Sequence, residues 1–163
     1  MRVAVAYNDS SCKLAEAIIS SLHQLGHHVL EFRNSNPNVD PTDLTFCVGQ
    51  EVLTHHVDRA ILICESGLCT CIAANKMIGL YASSCYDIFE AQVSRSKYNT
   101  NVLCLSERWT DKQSAGSIVK KWMETPFQER PNDLRSLKKI EKIEEEQIQP
   151  SSSGFKEGKE KAE

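Results

Sequence analysis

Residues 64–71, Cys64-Glu65-Ser66-Gly67-Leu68-Cys69-Thr70-Cys71, gather thiols and hydroxyls around one glycine. The apolar run Ala60-Ile61-Leu62-Ile63 leads into them and Ile72-Ala73-Ala74-Asn75-Lys76-Met77 follows. This order predicts a buried strand, a short loop and a helix over residues 70–77. Amides left unpaired at a helix N-terminus stabilise an anion, and the same field favours the thiolate of a nearby cysteine. Cys64 at the strand end therefore reads as a candidate thiolate, acting as base or nucleophile. By spacing alone Cys64 reads also as a small apolar strand residue, and both readings stand at this point.

The elements that must position this loop follow from hydrophobic periodicity. Val3-Ala4-Val5-Ala6-Tyr7 is a short apolar strand ending in Asn8-Asp9-Ser10-Ser11. Leu14, Ala17, Ile18, Leu22 and Leu25 recur at helical spacing as far as Gly26, and Val29-Leu30-Glu31-Phe32 resumes a strand. Leu44, Cys47, Val48, Val52 and Leu53 mark a second helix before the strand 60–64. Leu80-Tyr81-Ala82-Ser83 reads as a fourth strand, Ile88, Ala91, Gln92 and Arg95 as a helix, and Asn101-Val102-Leu103-Cys104-Leu105 as a fifth strand. Ala115, Ile118, Val119, Trp122 and Met123 form one more helix. Strands alternating with helices predict an α/β, Rossmann-like, doubly wound parallel five-stranded sheet with right-handed crossovers. Ligands of such sheets bind beyond the carboxyl ends of the strands, which puts Asn8, Asp9, residues 64–69 and residues 106–108 on one rim.

Leu134, Leu137, Ile140 and Ile143 give an apolar stripe amid Lys and Glu, so an additional C-terminal helix is expected over residues 134–148. It packs either on the sheet edge or on a neighbouring subunit. The domain is placed at residues 1–148, and residues 149–163 read as a disordered polar tail with Phe155 its only large apolar residue.

Composition bounds the rest. The 163 residues are 40 % hydrophobic and 25 % charged, which fits a single ordinary domain and excludes collagenous, coiled-coil and wholly disordered chains. A net charge of -3 offers no basic face for nucleic acid. No apolar stretch approaches the roughly 18 residues of a membrane span, and the chain opens directly into a strand pattern without a secretory leader, so a cytoplasmic protein is expected. Seven cysteines, an odd number with several in apolar runs, suggest buried free thiols. Cys69-x-Cys71 beside Cys64 lacks the spacing and ligand number of a structural zinc site, so no metal is expected. The pairs His27-His28 and His55-His56 precede strands on the opposite rim and read as solvent-facing turns. No Gly-x-Gly-x-x-Gly follows any strand, which argues against a dinucleotide fold of that type.

Ile63-Cys64-x-Ser66-Gly67, then Ile72-Ala73-Ala74-Asn75-Lys76, with Ser94-Arg95 and Asn99-Thr100-Asn101-Val102-Leu103 downstream, resembles the type B ribose-5-phosphate isomerase family. That family includes the galactose-6-phosphate isomerase subunits, and the resemblance spans residues 1–145. It implies aldose–ketose interconversion of a sugar or sugar phosphate through a cis-enediol, without cofactor or metal. It also implies a homodimer or tetramer with sites at subunit interfaces, or a hetero-oligomer with a paralogue. By position, Cys64 matches the catalytic base and Ser66 the hydroxyl that assists its proton relay. The backbone of Glu65, Gly67, Leu68 and Cys69 matches the loop that stabilises the enediolate, and Arg108 a substrate-contacting arginine.

Departures fall in the same pocket. Asn8-Asp9 stands where the family has Asp-His, and Lys97-Tyr98 where it has the ring-opening His-Asn, so Lys97 takes the catalytic role and Tyr98 a binding one. Glu65 and Cys69 replace glycines, and Thr70 stands where a second arrangement has a glutamate base. The phosphate clamp Arg-His-x-x-Arg is replaced by Asn132-Asp133-Leu134-Arg135-Ser136, leaving Arg130 and Arg135 to supply charge. These losses motivate the alternative of a non-catalytic member that binds a sugar phosphate or serves as a structural subunit.

Overall fold

The computed structural model describes residues 1–36 and 38–148; the tail expected from residue 149 lies outside them. Five parallel strands run β1 (Arg2–Asn8), β2 (His28–Asn34), β3 (Arg59–Cys64), β4 (Ala82–Ser84) and β5 (Val102–Ser106), in the sheet order β2-β1-β3-β5-β4. Helices α1 (Cys12–Gln24), α2 (Pro41–Leu53), α3 (Leu68–Ala74), α4 (Ile88–Tyr98), α5 (Lys112–Glu124) and α6 (Pro131–Ile148) connect or follow them. A single 3-10 turn, Asp9–Ser11, links β1 to α1.

The strands are apolar in proportion to their cover. β1, β3 and β5 are central and buried on both faces, so they carry continuous apolar runs. Edge strand β2 is only partly buried, and edge strand β4 has three half-buried residues. One face packs Val3, Val5, Ile61 and Leu103 against α1, α4 and α5. The other packs Ala4, Ala6, Leu62 and Cys104 against α2 and α3. The doubly wound architecture read from the sequence is therefore the one observed, and its direction reverses between β1 and β3.

Several boundaries differ from expectation. α3 begins at Leu68 because Gly67 caps it, and it ends at Ala74, earlier than residue 77. β4 starts at Ala82 because Leu80 packs into the core ahead of the strand. α6 starts at Pro131, and only its Leu137 is buried; Ile143 and Ile148 are exposed. Within one chain α6 touches α4, and Glu144 accepts the Gly79 N–H at 3.4 Å; Leu134 and Ile140 are half-buried, and of the predicted stripe Ile143 stands exposed. Of the cysteines, Cys64, Cys85 and Cys104 are buried as expected, whereas Cys47 and Cys69 are exposed.

Trp122 anchors the amino ends of the strands. Its ring is fully buried, its indole N–H donates to Thr100 Oγ1 at 3.0 Å, and the guanidiniums of Arg59 and Arg95 stand 5.3 and 5.8 Å from its centroid. Burial lowers the Arg95 pKa to about 10. Arg95 also donates to the carbonyl of Thr100, which fixes the turn from α4 into β5.

Candidate active site

Cys64 ends β3 beside Ser106, the last residue of β5. The chain then folds back on itself through Gly67, whose φ of +74° is left-handed. A Cβ there would stand 3.2 Å from the Leu105 carbonyl carbon and 3.3 Å from the Ser106 nitrogen, so glycine is required by conformation and by space. The fold-back aims the Gly67 N–H at Cys64 Sγ, 3.1 Å away. Around the same sulfur lie Cys69 Sγ at 3.4 Å and Thr70 Oγ1 at 3.5 Å. Ser66 Oγ accepts the Leu68 N–H at 3.3 Å. Two of the loop amides expected to hold an anion thus serve Cys64 and Ser66 instead, while those of Cys69 and Thr70 lie in the first turn of α3. The Leu68 side chain points to solvent.

The end of β5 braces this loop in a way that periodicity did not reveal. Ser106 Oγ donates to the Glu65 carbonyl at 2.8 Å and accepts the N–H groups of Arg108 and Trp109 at 3.2 and 3.1 Å. Arg108 pairs with the Glu65 carboxylate, and both side chains are exposed. Glu107 accepts from Ser10 Oγ at 3.0 Å and Ser11 Oγ at 2.6 Å, tying the β1 turn to the β5 loop. Ser10, Glu65, Glu107 and Arg108 line a cavity of ≈ 440 Å³. Asn8 and Asp9 line a neighbouring one of ≈ 270 Å³ with Asn34, Ser35 and Asn36.

Asp9 is not a bare acid. Arg33, at the carboxyl end of β2, binds it at 2.7 Å and lowers its pKa. Ser106 and Glu107 lie on the rim where the alternation of elements put residues 106–108, though their bracing role was not read; Arg33 was missed, and its signal was its place at a strand end on the same rim.

The remaining expected site residues lie elsewhere. Lys97 and Tyr98 end α4, which returns the chain to the amino ends of the strands. The Gln128 N–H donates to the Ser96 carbonyl at 2.9 Å, so the segment carrying Arg130 and the start of α6 with Arg135 sit at that same end. The five residues of β5, roughly 16 Å of strand, separate this group from the Cys64 rim. One chain therefore brings together Asn8, Asp9, Cys64, Glu65, Ser66, Gly67, Cys69 and Arg108, and does not bring Lys97, Tyr98, Arg130 or Arg135 to them.

The thiols differ in acidity. Burial, and then contact with Cys64, push the Cys69 thiol up to about 11. The hydrogen bond from Cys104 pulls Cys71 down to about 7, while burial pushes Cys104 itself up. Among the described residues no three His, Cys, Asp or Glu side chains converge as a metal-ligand set, and no helix is long and apolar enough to cross a membrane.

The same layout occurs in known proteins. The family described as Ribose/Galactose Isomerase matches residues 3–143. A D-erythrulose-4-phosphate isomerase 2 of Mycolicibacterium smegmatis is 33% identical over 69% of this chain and 71% of its own length. Ribose-5-phosphate isomerase B of Escherichia coli is 32% identical over 71% of this chain and 78% of its own. The solved ribose-5-phosphate isomerase B of Clostridium thermocellum superposes with a TM-score of 0.84 and 32% identity, covering 90% of this chain and 99% of that one. With a superposition covering 90% of the chain and a family match over residues 3–143, this chain belongs to the ribose/galactose isomerase family.

Proposed function

We propose that the chain is an aldose–ketose isomerase acting on a sugar phosphate, the ribose 5-phosphate/ribulose 5-phosphate pair or a related sugar. The observation that carries this reading is the Cys64 sulfur held at a strand end under the Gly67 amide, one residue before Glu65, which lines an open polar cavity. The thiolate is the form of a cysteine that takes a proton. Cys64 removes the proton from C2 of the opened sugar, leaving a cis-enediolate, and returns it to C1. Ser66 assists transfer between the two sugar oxygens. The first-turn amides of α3 and the Arg108 guanidinium meet the developing negative charge. Ser10, Asn8 and the carboxylates of Asp9, Glu65 and Glu107 are suited to sugar hydroxyls.

Charge on the Cys64 rim supports a site completed by another copy. Arg108 and Arg33 are already paired with Glu65 and Asp9, and Glu107 adds a further acid. A phosphate dianion gains little from such a surface. Lys97, Arg130 and Arg135 supply the needed cations from the opposite rim, so a dimer or tetramer that apposes the two rims completes the pocket, with Lys97 and Tyr98 opening the ring. No cofactor enters this scheme. The test is turnover on a panel of pentose, tetrose and hexose phosphates and their free sugars. Conversion of a phosphorylated member supports the reading, and absence of conversion throughout opposes it. The pairing of Arg108 with Glu65 favours the second reading, a non-catalytic sugar-phosphate-binding or structural subunit beside an active paralogue, for which binding without turnover is expected.

A further inference from the structure

The isomerase chemistry uses one thiol of the loop and leaves its neighbour unexplained. Cys69 Sγ lies 3.4 Å from Cys64 Sγ, close to van der Waals contact between sulfurs, and both belong to one turn hinged at Gly67. Cys69 is exposed where Cys64 is buried, so the pair joins the buried strand end to the surface. A disulfide requires the sulfurs to close to about 2.05 Å, an approach of roughly 1.4 Å that side-chain rotation at an exposed helix start can supply. The Gly67 N–H is directed at the Cys64 sulfur from 3.1 Å, and a thiol reacts with an oxidant as its thiolate.

We propose that Cys64 and Cys69 are a reversible disulfide pair through which hydrogen peroxide switches the loop off. The Cys64 thiolate attacks a peroxide oxygen; the O–O bond breaks, the sulfur becomes a sulfenic acid, and the departing oxygen leaves as water after taking up a proton. Cys69 then loses its proton and attacks the sulfenic sulfur, forming the S–S bond and expelling a second water. The two thiols together lose two electrons and the peroxide gains them. A dithiol reverses the change by exchange. Cys69 acts as the resolving thiol: by capturing the sulfenic acid it keeps Cys64 from irreversible oxidation to the sulfinic state. Burial and the contact with Cys64 keep Cys69 itself protonated at neutral pH, which fits a resolving rather than an attacking role. Formation of the bridge is independent of the isomerase reading; its effect on turnover rests on that reading, because a sulfur held in a disulfide cannot accept a proton.

The experiment treats the whole purified protein with hydrogen peroxide, blocks free thiols by alkylation, and maps the bridge by mass spectrometry after cleavage following Glu65, which separates Cys64 from Cys69 and Cys71. The expected result is two peptides still joined, both in the unaltered protein and in Cys71→Ser, and released by dithiothreitol. Activity, compared for each protein with its own reduced form, falls in step with the joined fraction and returns with dithiothreitol. In Cys69→Ser no joined pair forms through this position, and prolonged peroxide produces a loss that dithiothreitol does not restore. Separate peptides carrying alkylated Cys69, a bridge that disappears in Cys71→Ser, or a full bridge with activity unchanged each overturn the proposal. If the bridge forms in a protein that turns over no sugar even when reduced, the pair stands and the isomerase reading falls; if the reduced protein is active and no bridge forms, the reverse holds.

Discussion

Gly67 donates its amide hydrogen to the sulfur of Cys64 across 3.1 Å, and no other residue type can do so from that backbone conformation without displacing the end of β5. Gly67→Ala places a Cβ against the Leu105 and Ser106 backbone in a left-handed conformation, at a cost of about 1–2 kcal/mol in stability. Because the amide moves with the strain, turnover falls more than the melting temperature suggests. Thermal unfolding and kcat measured on the same preparation check this. An unchanged kcat would separate the glycine from the chemistry.

The placement of Lys97 and Arg130 at the opposite end of the sheet from Cys64 predicts complementation between inactive chains. Cys64→Ala and Lys97→Ala are each expected to be poorly active alone. Unfolded together and refolded as an equal mixture, they form hybrids in which one shared site carries neither substitution, and roughly a quarter of the unaltered activity returns for a two-fold dimer. No recovery beyond the sum of the two parents contradicts a shared site.

Thiol acidity gives a pH signature. A thiol is alkylated as its thiolate, so its rate climbs with pH until the group is fully ionised. Cys71, held down by Cys104, reaches half its limiting rate near pH 7, whereas Cys69 is still climbing toward about 11. Residue-resolved alkylation rates across that range test the order, and faster labelling of Cys69 than of Cys71 at neutral pH would reverse it.

Trp122 joins α5 to the turn that ends α4, through Thr100 and the two guanidiniums above its ring. Trp122→Ala leaves a cavity and an unpaired Thr100 hydroxyl, and destabilises the fold by about 3–5 kcal/mol in denaturant titration.

Much of this architecture was legible in the sequence because burial on both faces forces the apolar runs of β1, β3 and β5, and because Gly26 and Gly67 mark turns. The carboxyl rim followed from the alternation of elements, and Asn8, Asp9, Cys64, Ser66 and Arg108 do meet there. What escaped was set by tertiary contact. β4 is a short edge strand with little periodicity to read, and Ser106 looks like any polar residue after a strand until the Glu65 carbonyl is beside it. Arg33 answers Asp9 from a neighbouring strand rather than a neighbouring position, so the rim holds a second cation besides Arg108. The position of Lys97 was implicit: a helix after β4 must return the chain to the amino rim before β5, away from the residue it was expected to assist.

The most direct test of Cys64 as the base is proton exchange in heavy water, followed by NMR at C1 and C2 of ribose 5-phosphate, erythrulose 4-phosphate and their near relatives. The unaltered protein should exchange one of these protons on at least one sugar phosphate, and Cys64→Ala should slow that exchange by roughly 10²–10⁴-fold while keeping the same far-ultraviolet circular dichroism. Exchange that persists at the unaltered rate in Cys64→Ala, or that occurs on no sugar in the folded unaltered protein, contradicts the assignment.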